Sequence, residues 1–268
     1  KISIPASATF NIFNFDALSE NITIEDISLN GNNTITVGVI DRNEIVNKTG
    51  IGTSKGIYIN GYAKNIHLNR LDIQGFSHSG IHLYRTHAGI FNKTAKITDC
   101  VIYNNYIGLF SDVRSEYHTI LGNTIAYNVI GGYVEGGNNF GSTNHFDANS
   151  VGCVISGLLA ENDSHGSFGS CSFNHNKSYS LYLINVNNGF TFNGFHCFEG
   201  NICIDNSRGV VLNGGIIACA IEVVNERIGT SIISNNIFFK TYGGGTIGSK
   251  TYLSLKNNSF IDGSSSSS

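Results

Sequence analysis

The sequence predicts an all-β chain: a single-stranded right-handed parallel β-helix of about ten coils, each 20–29 residues long. Three observations predict it. A nine-residue frame with apolar or Asn residues at its first, fourth and sixth positions recurs along the 268 residues. Between frames lies a second short strand with alternating inward residues. The composition, with 32 Gly, one Pro and 13% charged residues, suits a chain that turns often and forms little helix.

The frame begins at Ile24, Leu68, Ile97, Ile120, Gly141, Phe168, Phe192, Leu212, Ile233 and Leu255. Its sixth position reads Leu29, Ile73, Ile102, Ile125, Phe146, Phe173, Cys197, Ile217, Phe238 and Phe260, with no polar exception. The fourth position reads Ile27, Leu71, Cys100, Asn123, Asn144, Cys171, Phe195, Gly215, Asn236 and Asn258. Asparagines stacked inside a bend can bond to one another and to the turn backbone, satisfying polar groups that burial would otherwise strand. The separate strand runs through Gly-Ile-Tyr-Ile at 56–59, Gly-Ile-His-Leu-Tyr at 80–84, Gly-Leu-Phe-Ser at 108–111 and Gly-Gly-Tyr-Val-Glu at 131–135. It continues at 152–155, 180–183, 202–204 and 221–223. A propeller needs longer blades and a sandwich needs hairpin turns, so neither fits this spacing. The double-length gap from Ile24 to Leu68 reads as a coil with a polar loop inserted at about 30–55, within one domain over 1–263. Five serines at 264–268 read as a tail, and the missing initiator Met leads us to expect a piece of a longer chain.

A net charge of −3 with scattered Lys and Arg gives nucleic acid no electrostatic footprint. No apolar run reaches the roughly 18–20 residues that span a bilayer, so membrane insertion is not expected. The six cysteines lack C-x-x-C spacing. Four of them fall at inward positions, where a thiol serves as a small apolar group, as expected for synthesis in a reducing cytoplasm. We expect no disulfide framework, no metal and no cofactor.

Asn21-Ile-Thr-Ile-Glu-Asp-Ile-Ser-Leu-Asn-Gly-Asn, Asn65-Ile-His-Leu-Asn-Arg-Leu-Asp-Ile-Gln-Gly-Phe and Ser79-Gly-Ile-His-Leu resemble the pectate-lyase-like right-handed β-helix superfamily. The likeness is greatest to phage tailspike and polysaccharide depolymerase proteins and covers roughly residues 20–263. It implies a virion-tail or extracellular protein, a parallel homotrimer, and a bacterial surface polysaccharide, capsule or O-antigen, as partner. The polygalacturonase-like Asn-Thr-Asp, Asp-Asp and Gly-His-Gly set is absent, as is a calcium-binding Asp cluster, so the relatives' catalytic residues do not carry over. Fold alone does not assign function.

The residues themselves suggest a site. Long loops at 85–95 and 156–166 are expected to wall a groove on one flank. On its floor Tyr58, His82, Phe110, Tyr133, Val154 and Tyr182 should stack coil over coil, offering rings to sugars unless loops or a partner subunit cover them. The next outward column carries Asn60, Tyr84, Asp112, Glu135 and Ser156, flanked by Arg85, Arg114 and Glu116. Asp112 and Glu135 would be neighbours able to raise one another's proton affinity, the pair that glycoside hydrolysis requires. Glu161, Asp163 and His165 on the second long loop are further acid or base candidates, and His82, His87 and His145 further proton carriers. Three functions follow: a glycosidase using Asp112 and Glu135, a lyase in which Arg85 or Arg114 neutralises a uronate, or a spike that binds without cutting.

Overall fold

The computed structural model describes residues 1–261 apart from positions 17, 62, 85–93, 113–114, 136, 138, 159–164, 226–228, 240–246 and 249–252. All strand pairing in it is parallel, in three sheets of ten, eleven and ten strands. Sheet I holds the first strand of each frame, from Glu20–Glu25 to Leu253–Lys256. Sheet II holds the second, from Ile2–Ser3 to Ser259–Ile261, and sheet III the separate strands, from Asn11–Phe15 to Ile247–Gly248. Every strand pairs with its counterpart one coil away, which is the pattern of a parallel β-helix of about nine turns.

The two apolar columns of the frame are real columns. Ile24, Leu68, Ile97, Ile120, Gly141 and Phe168 lie opposite one another in successive strands of sheet I. Leu29, Ile73, Ile102, Ile125, Phe146, Phe173 and Cys197 do the same in sheet II. All point into one buried core, whose rows are about 4.7–4.9 Å apart by the geometry of parallel strands. Gly141 interrupts the first column for a steric reason: a Cβ there would lie 2.4 Å from the Phe168 ring of the next coil.

Between the two frame strands the chain turns on one left-handed residue, including Asp26, Arg70, Asp99, Gly122, Thr143 and Ser170. The fourth-position asparagines stabilise that bend as expected. Asn123 Nδ2 donates to Ile97 O and to Asn144 Oδ1, while Asn144 Oδ1 also accepts from the Asn123 backbone N–H. A second ladder, not anticipated from the sequence, occupies the bend between sheets II and III. Here the side-chain oxygens of Asn128, Asn149 and Asn176 accept from the backbone N–H of Asn105, Asn128 and Asn149 respectively.

The chain ahead of the first frame already belongs to the solenoid: Ile2–Ser3 pairs with Ser28–Asn30 and Asn11–Phe15 with Lys55–Asn60. One expectation needs correction. The inserted segment is no mere polar loop. It contains helix α1 (Arg42–Asn47), started by a capping box in which Asp41 and Glu44 satisfy each other's backbone N–H. Lys48, in the left-handed conformation, ends it. Among the described residues no helix is long and apolar enough to cross a membrane. All six cysteines are free and buried.

Candidate functional site

The outward face of sheet III carries the expected column in the expected register. Tyr58 lies opposite His82, His82 opposite Phe110, Phe110 opposite Tyr133, Tyr133 opposite Val154 and Val154 opposite Tyr182. One step beyond the strand ends, the Asp112 N–H donates to Leu83 O at 2.9 Å and the Glu135 N–H to Ser111 O at 2.7 Å. Tyr84, Asp112 and Glu135 are therefore neighbours on successive coils.

Most of that face is covered. The inserted segment crosses it as a strap whose Ile35, Ile40, Ile45, Val46 and Ile51 pack onto the aromatic column. Ile45 is fully buried there. Hydrogen bonds pin the strap along its length: Gly38 N–H to Ser150 Oγ at 2.9 Å, Ile40 N–H to Ser178 Oγ at 2.8 Å, and Arg42 to Tyr179 Oη at 3.3 Å. Arg42 also pairs with Glu222 at 2.9 Å. Phe110, Tyr133 and Tyr182 retain 5%, 0% and 1% exposure, so these three rings are core beneath the strap and not platforms for sugar. Tyr182 instead donates its hydroxyl to Asp205 Oδ2 at 2.8 Å.

What stays accessible lies at the strap's far end. Tyr58, Tyr84, His78, Lys55 and Asp112 are half-buried around His82. The Tyr58 and Tyr84 rings stack at 6.1 Å, and Lys55 Nζ lies 5.2 Å from the Tyr58 ring centre. His82 is held between His78 and Phe110, with ring centres 5.0 and 4.6 Å away. Burial holds its pKa below the ordinary histidine value, so it is neutral at pH 7. Its Nε2 is 3.0 Å from Asp112 Oδ2, and an ionised carboxylate can only accept, so Nε2 carries the proton. The buried Nδ1 then has a lone pair and no hydrogen-bond partner.

Glu135 sits behind Asp112, its side chain 6% exposed against 16% for Asp112. Burial raises its pKa above the usual carboxylate range. The Lys48 ammonium opposes that rise, and the Asp112 charge with the hydrogen bond between the two carboxyls adds to it. One proton is thus retained by the pair at pH values where a free carboxyl would have lost it. Lys48 Nζ reaches Glu135 Oε1 at 3.5 Å from the end of α1. An acid that keeps its proton beside an ionised carboxylate is equipped for paired acid and base catalysis.

Sequence reasoning thus placed Asp112, Glu135, Tyr58, His82 and Tyr84 together. It missed Lys48, Lys55 and His78. Arg85, His87, Arg114, Glu161 and Asp163 lie outside the described residues, as do most positions of both expected wall loops. His165 is described, and its ring lies over Gly137, where a Cβ would be 2.4 Å from Cε1, two residues past Glu135. His145 is on sheet II, on another flank. Among the described residues no group of three His, Cys, Asp or Glu side chains could hold a metal ion.

Fold and site together define a parallel β-helix protein with two neighbouring carboxyls, Asp112 and Glu135, on its flank. Comparison with protein-family models, curated proteins and solved structures gives no match for the chain.

Proposed function

We propose that the protein is a tailspike-like receptor-binding protein that binds a bacterial surface polysaccharide, capsule or O-antigen, and hydrolyses it. The β-helix fold is compatible with carbohydrate binding and polysaccharide processing. The observation that carries the catalytic part is the adjacency of Asp112 and the more deeply buried Glu135 on successive coils, where burial favours the protonated form of Glu135. Glu135 is the general acid that protonates the leaving glycosidic oxygen. Asp112, nearer the opening and oriented by His82 Nε2, is the carboxylate that activates water or attacks the sugar. It does so once the bound sugar has parted the two hydrogen-bonded carboxyls to the roughly 5 Å or more at which such pairs work. Tyr58 and Tyr84 supply the aromatic faces on which a sugar ring stacks. The expected assembly is a homotrimer on a virion tail.

Lys48 and Lys55 favour a second reading, a lyase on an acidic glycan. Two ammonium groups beside the pair would neutralise a uronate, allowing a base to abstract the proton α to its carboxyl. Incubation with a panel of bacterial polysaccharides, followed by size exclusion, tests both. Shortening with new reducing ends, abolished by Asp112→Asn and by Glu135→Gln in folded protein, supports hydrolysis at this pair. Shortening with an ultraviolet-absorbing unsaturated end favours the lyase. Binding to one polymer with no shortening of any leaves a recognition protein and removes the enzyme reading.

A further inference from the structure

The second asparagine ladder stops at Asn176, and the bend it stabilises changes there. From the inward residue of sheet II to that of sheet III the chain takes eight steps at Phe173 to Leu181. It takes five at Cys197 to Ile202 and four at Ile217 to Ile221. At Gly200, one coil past Asn176, a Cβ would lie 2.6 Å from Asn176 O, so no side chain continues the ladder there. The strand His196–Phe198 pairs with Ile216–Ala218, setting Cys197 opposite Ile217, and two residues on Cys219 turns into the same core. Its Sγ lies 3.1 Å from Cys197 Sγ, both thiols being buried.

That separation is shorter than a relaxed contact between two thiols and about 1 Å longer than a disulfide bond. The two cysteines belong to adjacent coils, whose parallel strands run roughly 4.8 Å apart. We propose that Cys197 and Cys219 form a disulfide that staples these coils together once the protein meets an oxidising environment. Two S–H bonds break and one S–S bond forms. The two electrons and two protons pass to a disulfide oxidant such as oxidised glutathione, which is reduced to two thiols. The bond closes a loop of the unfolded chain and replaces, in the short-bend coils, the cross-coil tie that asparagines provide further back. Cys100, Cys153, Cys171 and Cys203 are buried without such a contact to another cysteine and serve as internal controls.

The test refolds the protein in a glutathione redox buffer and, in parallel, treats natively purified protein with diamide at length. Each sample is quenched in acid, alkylated under denaturing conditions and mapped by peptide mass. The expected result is a Cys197–Cys219-linked peptide with the other four cysteines alkylated, reversed by dithiothreitol. Oxidation should also raise Tm by several degrees. Cys219→Ser should give five alkylated cysteines and a Tm indifferent to oxidant. Six alkylated cysteines in the diamide-treated native sample, or a link between a different pair, would overturn the assignment. The native sample decides the question even if refolding fails.

Discussion

Lys48, carried to sheet III by the strap, places its Nζ 4.2 Å from the centre of the Tyr133 ring and 3.5 Å from Glu135 Oε1. One ammonium therefore faces both a ring and the carboxyl that holds the shared proton. Burial and Asp112 lift the pKa of Glu135 above its ordinary 4.5, while Lys48 pulls it down. A carboxyl whose folded pKa is raised contributes its stability below the ordinary value and loses it as pH rises through the folded value. Glu135→Gln removes that titration. Its stability relative to the native protein should therefore become more favourable as pH climbs above about 4.5, and Lys48→Met should widen the interval. Urea unfolding across that range checks both. A Glu135→Gln difference that becomes less favourable with rising pH contradicts the assignment.

Much of this was legible because a solenoid repeats its inward pattern. Leu29 through Phe260 declared sheet II, and a consistent frame placed Asp112 next to Glu135 without a structure. The strap was not legible. Its bonds join residues with no periodic relation, Ile40 to Ser178 across 138 positions and Lys48 to Glu135 across 87. Its only local signal was Asp41-Arg-Asn-Glu, the start of a helix, which says nothing of where that helix docks. Hence the ring column follows from the sequence in its correct order and cover by a loop stands there as an open alternative, but that the 30–55 segment supplies it over Phe110, Tyr133 and Tyr182 does not. The second asparagine ladder was present in the sequence at Asn105, Asn128, Asn149 and Asn176. It lies outside the nine-residue frame's inward positions and so escaped notice.

If the strap is held by its apolar face, Ile45 is its anchor. Ile45→Ala removes a fully buried side chain from the cluster it shares with Tyr106, Phe110 and Tyr133, and should cost roughly 2–4 kcal/mol. Loosening of the strap should expose the ring column and raise the fluorescence of a bound hydrophobic dye. A destabilised variant that binds no dye would mean that the strap stays docked by its polar pins alone.

Asn128 belongs to both sides of its bend. Its Oδ1 accepts from the Asn105 N–H at 2.9 Å, and its Nδ2 donates to Ile102 O at 3.1 Å and to Ala126 O at 3.0 Å. Asn128→Ala strands a buried donor and two buried acceptors, each costing about 1–3 kcal/mol where water cannot replace the partner. The loss should be roughly 3 kcal/mol or more by urea unfolding, well above that of Asn235→Ala, whose side chain is exposed. Similar losses at the two positions would show that water enters the bend.

His118 extends the pH argument to acid. It is fully buried, its Nδ1 accepts from the Ala95 N–H at 3.1 Å, and burial lowers its pKa from 6.5 to about 3. In the unfolded chain it takes up a proton below about 6.5, whereas in the folded chain it resists until about 3. The unfolded state therefore binds more protons across that window, and stability is lost as pH falls from 6.5. One such group gives a slope of roughly 1.4 kcal/mol per pH unit. His78, also lowered to about 3 by burial, acts in the same direction. His118→Gln is neutral at every pH, so its unfolding free energy should fall less steeply than that of the native protein between about pH 6.5 and 4. Parallel curves would mean that His118 is protonated in the folded state, which a buried ring accepting from a backbone N–H cannot be without breaking that bond.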